Sequence, residues 1–110
     1  MQFLPENDPR REVWEQCESP IEQYLCCGLF ALLGCRAVSG PFDRSRLPQL
    51  AELAGDAPAC FLFAQHSIGI YRADFLAVAV DPQNKTHRRL VIECDGQRYH
   101  GSEEQRARDQ

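Results

Sequence analysis

Three runs of β-forming residues, 59–68 ("ACFLFAQHSI"), 71–80 ("YRADFLAVAV") and 88–95 ("RRLVIECD"), follow one another with very little chain between them. Gly69 makes a tight break after the first, and the turn-rich stretch "DPQNKTH" follows the second. A parallel return needs a crossover of a dozen or more residues, and neither link can supply one. The spacing therefore predicts an antiparallel meander. Within the last run Leu90, Val91 and Ile92 read as a buried strand.

Upstream, "ESPIEQYLCCGLFALLG" carries helix-start signals: Ser19 as N-cap, Pro20 at the first helical position and Glu22 three residues after the cap. Apolar residues recur near helical spacing up to Gly34, a suitable stop, so a helix is expected over 20–33. Residues 1–18 read as a polar lead-in with Trp14 as an anchor, and 19–110 as one domain. The stretch 35–59 is punctuated by Gly and Pro, with a short strand expected over 35–39 and a helical turn over 47–53. After Gly96, Ser102 with Glu103 and Glu104 looks like the start of another helix.

The chain has 110 residues, 44% hydrophobic and 25% charged, an ordinary globular balance. No apolar run reaches membrane-spanning length, and the first residues lack the apolar segment of a secretory leader. A cytoplasmic protein is the expectation. Six cysteines at 17, 26, 27, 35, 60 and 94 form no CxxC pair and no zinc spacing. Reduced thiols packing as small hydrophobes is the reading that follows. The net charge of −4 argues against a protein-wide basic footprint for nucleic acid. Locally, Arg88, Arg89, Arg98, Arg106 and Arg108 crowd around the last strand.

That strand poses a problem of charge. Residues i and i+2 of a strand share a face, so Glu93 and Asp95 point one way while Ile92 and Cys94 point the other. Asp74 comes from the preceding strand and Glu22 from the first turn of the covering helix. Converging carboxylates repel unless protonated or neutralised. A hard divalent cation takes such oxygen ligands, and two acids with the carbonyl of Cys94 between them suit Mg2+. Acids at strand ends also simply meet solvent, and Asp95-Gly96 is a common turn pair. From the residues alone both readings stand.

The ordered series "SPIEQYL", "QHSIGIYRADF", "VIECDGQRYH" and "RARD" resembles the PD-(D/E)XK nuclease superfamily, and in particular the small endonuclease-like domains akin to the very-short-patch repair endonuclease. The likeness runs over 19–109. It implies an α/β protein with a restriction-endonuclease-like three-layer α/β/α core, a central mixed sheet and Mg2+-dependent hydrolysis of DNA phosphodiesters, with Mn2+ as substitute. On that likeness Asp74 and Glu93 are metal acids, joined by the backbone carbonyl of Cys94. Asp95 stands where the superfamily pattern has lysine and either ligates metal or orients water. Glu22 supports the site from the first helix. Gln65 hydrogen-bonds the water or a phosphate. His100 is either a general acid or a phosphate contact, or else a surface residue. Arg98, Arg106 and Arg108 either bind backbone phosphates or form a solvated helix face. His66 and His87 read as residues without a role at the site.

The likeness would continue with a full helix and a further strand beyond 110, so the expectation is a shortened or degenerate core, or two copies completing each other as a homodimer. The partner implied is DNA, with no membrane and no small-molecule cofactor. The alternative is a catalytically inactive module of the same fold that binds DNA or a protein.

Overall fold

The short links do force the chain back on itself. The computed structural model describes residues 4–94. Strands β1 (Ala59–Ile68), β2 (Tyr71–Asp81) and β3 (Thr86–Ile92) form one antiparallel sheet in the order β1-β2-β3. The β1–β2 link turns at Gly69, whose φ of 62° suits a residue without Cβ. The first two strands fall where the alternation put them. The third lies two residues earlier at its start and ends at Ile92.

Three helices cover the sheet: α1 (Pro9–Glu15), α2 (Pro20–Ala31) and α3 (Leu47–Ala54), the last preceded by a 3-10 turn at Arg44–Arg46. In α2 the Ser19 Oγ accepts the Glu22 N–H at 3.2 Å, and Gly34 follows in the left-handed region at φ 67°. The lead-in contains α1, which the sequence reading lacked. Asp8 caps it by accepting the Arg10 N–H at 2.9 Å, and Pro9 opens it. Val13 is its one buried residue.

Alternation along the strands sends side chains into two separate clusters. Leu62, Phe75 and Ala77 meet Val13 of α1 and Cys26, Leu29 and Phe30 of α2. Phe61, Phe63, Leu76, Val78 and Val80 meet Phe42 and Leu50 of α3. Helices therefore lie on both faces. Phe61, Leu62, Phe75 and Leu50 are fully buried, each contributing about 1.5–3 kcal/mol of apolar transfer.

Two local expectations are corrected. The strand expected over 35–39 reduces to one parallel bridge, Arg36 to Phe61. Its bonds run from the Arg36 N–H to the Cys60 carbonyl and from the Leu62 N–H to the Arg36 carbonyl, both 2.8 Å. Nor is β3 a buried strand: Leu90 is 62% exposed and Val91 41%. Among the described residues β3 is an edge, and only Ile92 packs on a core cluster. The cysteines are free thiols; Cys26 and Cys35 are buried, and Cys17, Cys60 and Cys94 pack on the α1–α2 cluster, as small hydrophobes do. No described helix is long and apolar enough to cross a membrane.

Candidate functional site

Both strand ladders fail at one row of the sheet. The β1–β2 pairing runs through Ala64↔Phe75, skips Gln65 and Asp74, and resumes at His66↔Ala73 in the same register. The β2–β3 pairing ends at Phe75↔Ile92, one step before Asp74 would meet Glu93. Gln65 of β1 and Asp74 of β2 thus share a row, and Glu93, the first residue past β3, continues it in register. Backbone groups released from the ladders must find other partners.

The backbone at Gln65 explains the first gap. Its φ is 53°, a left-handed conformation in the middle of a strand. Phe61 and Phe63 belong to the α3-side cluster, while Leu62 is in, and Ala64 packs against, the α1–α2 side. Strict alternation would send Gln65 to the α3 side. Instead its Nε2 donates to Glu22 Oε1 at 2.8 Å, on the α2 side. The next residue, His66, lies against the Phe42 ring on the α3 side, with ring centroids 6.0 Å apart. One left-handed residue therefore reverses the facing of two side chains.

Glu22 is 5% exposed and Asp74 8%; they are the buried charged residues among those described. A buried carboxylate is costly without hydrogen-bond donors. Glu22 has two: Gln65 Nε2, and Ser19 Oγ, which donates to Oε2 at 3.1 Å while capping the helix. The helix start therefore also fixes this buried acid. Asp74 Oδ2 accepts the Cys94 N–H at 2.8 Å, replacing the lost ladder bond. Glu93 itself is exposed, between Ile92 and Cys94, which pack on the α1–α2 cluster. The sequence reading placed it away from those two neighbours, and their packing agrees.

The surroundings are electrostatically coupled. Burial, then the charges of Asp74 and Glu22, push the Cys94 thiol up to about 12. Hydrogen bonding to Cys17, then burial, holds the Cys26 thiol protonated. Burial lifts Cys60 to about 11. These thiols are packing groups in their ordinary protonated form.

Of the residues expected at a site, Glu22 and Gln65 are hydrogen-bonded on the α2 side and Asp74 holds the Cys94 amide, while Glu93 lies next in the row with its side chain exposed, away from the face on which Ile92 and Cys94 pack. Asp95, Arg98, His100, Arg106 and Arg108, and the helix expected to start at Ser102, lie outside the described residues. Among the described residues no set of three or more His, Cys, Asp or Glu is arranged to hold a metal ion; the expected donor set includes Asp95. The second role of Ser19 was missed. Its signal was the spacing to Glu22, which matches a capping box in which the acid reaches back to the cap.

Comparison with protein-family models, with curated proteins and with solved structures finds no match.

Proposed function

We propose that the chain is a metal-dependent, endonuclease-like domain that hydrolyses DNA phosphodiesters, on a restriction-endonuclease-like core. The observation that carries this reading is the interrupted row: Gln65 and Asp74 lie opposite each other where the β1–β2 ladder opens, Glu93 follows just past the end of β3, and buried Glu22 is bonded to Gln65. Ladder breaks beside buried carboxylates suit a reaction centre, because strain and charge are costly features that packing alone does not require.

The donors fit a hard cation. Carboxylates of Asp74 and Glu93, with the carbonyl of Cys94 and the carboxylate of Asp95, are oxygen ligands of the kind Mg2+ takes. Such an ion supplies a polarised phosphoryl oxygen and an activated water. The protein's own contribution is positioning. The Cys94 amide fixes the Asp74 carboxylate in one orientation. Glu22 holds the Gln65 amide by its nitrogen, so its carbonyl end can accept from a water. Ser19 holds Glu22 in turn.

The test is plasmid nicking with Mg2+ or Mn2+. Asp74→Asn keeps an acceptor for the Cys94 amide and removes the charge. Losing several kcal/mol of transition-state stabilisation corresponds to a rate loss of about 100-fold or more. Nicking at the wild-type rate by Asp74→Asn refutes the assignment.

A second reading is a binding module of the same fold without catalysis. It is favoured by the engagement of both buried carboxylates with donors inside the protein and by Asp95 in place of lysine. DNA binding without nicking under any divalent ion would select it.

A further inference from the structure

On the α3 side, a cleft of about 420 Å3 opens between the second half of β1 and the exposed face of β3, lined by His66, Ser67, Ile68, Leu76, Arg89 and Val91. Two of these bear on anion binding. Arg89 is exposed and makes no ion pair or hydrogen bond among the described residues. His66 leans on Phe42, and burial followed by the charge of Arg89 lowers its pKa below the ordinary 6.5, leaving a neutral ring with one N–H donor. The charged residues between Asp81 and Glu93 are Lys85, Arg88 and Arg89, all positive, so this strand is basic in a chain of net charge −4. A guanidinium without a carboxylate partner among the described residues, beside an imidazole, fits a phosphate.

We propose that this cleft, with Arg89 as its anchor and His66 as a further donor, binds a backbone phosphate of duplex DNA about three phosphates from the scissile one. The proposal rests on the nuclease reading for its ligand. The spacing suits it. From Arg89 to the end of β3 at Ile92 is three residues, about 10 Å of strand. Phosphates of one DNA strand advance about 3.4 Å each along the axis, so the cleft sits roughly three phosphates from the open row. Phosphate contacts set register and carry no sequence information.

The experiment is fluorescence anisotropy with a labelled DNA duplex in EDTA, which uncouples binding from cleavage, over a range of salt. Arg89→Ala should reduce the salt slope by about one, which at 0.1 M salt is a loss of about eightfold in affinity. Arg89→Lys should keep the slope. Arg88→Ala removes the same charge from the other face of the strand and should bind more tightly than Arg89→Ala. Equal losses from Arg88→Ala and Arg89→Ala overturn the cleft assignment, as does wild-type binding by Arg89→Ala or no binding by wild type. Displacement by an RNA duplex as effectively as by DNA overturns the choice of ligand. The two readings fail separately. Asp74-dependent nicking with unchanged binding by Arg89→Ala sinks only the cleft. Arg89-dependent binding without nicking sinks only the chemistry.

Discussion

Replacing Gln65 by alanine and, separately, by glycine isolates the backbone conformation on which the open row depends. Gln65 has φ 53° within β1. A residue with a Cβ costs about 1–2 kcal/mol in the left-handed region; glycine is free of that cost. At an extended strand position glycine is the worse choice by roughly 0.5–1 kcal/mol. Both variants lose the bond from Nε2 to the Glu22 carboxylate, worth about 1.5–3 kcal/mol for a charged acceptor. That loss cancels when the two are compared. Relief of the left-handed cost, less the entropy of glycine, leaves Gln65→Gly more stable than Gln65→Ala by roughly 0.5–1 kcal/mol. Urea unfolding reads this as a higher midpoint at unchanged m-value, with both variants below wild type. The ordinary strand order, alanine above glycine, would refute the strained row and the reversed facing of Gln65 and His66.

Other outcomes follow from the packing and the charges. Leu50 is the buried residue of α3, and Leu50→Ala should cost about 2–5 kcal/mol by chemical denaturation; a loss below about 1 kcal/mol would mean that α3 does not seal the second face. His66 should titrate below 6.5 in an NMR pH series, and Arg89→Gln should move it upward, since the charge of Arg89 is one of the two causes of its depression. Because the unfolded chain then binds more protons, the contribution of His66 to stability is complete above 6.5 and is lost as pH falls through its folded value. A His66 that titrates at or above 6.5 contradicts this.

The parts of the fold carried by local signals were legible in the sequence. The cap at Ser19 and Pro20 located α2, and alternation with Gly69 located β1 and β2, because each depends on neighbours in the chain. Helix α1 escaped notice because seven residues with one buried side chain show no periodicity, although Asp8-Pro9 is a start signal. The triplet Leu90-Val91-Ile92 looked like core because composition reveals β-propensity, while burial depends on what packs against the strand. That Glu22, Gln65 and Asp74 share one region was legible from the order of the motifs in the chain. How Gln65 reaches Glu22 was not. Left-handed conformation is expected of glycine or asparagine, and nothing in "FAQHS" marks its glutamine.

The most direct test of the central proposal is a Mn2+ titration followed by NMR on wild type and Asp74→Asn. The account predicts selective paramagnetic broadening of the amides of Asp74, Phe75, Ile92 and Glu93 in the wild type, and its disappearance in the variant. Broadening centred elsewhere, or unchanged in Asp74→Asn, would contradict a divalent-ion site at the open row.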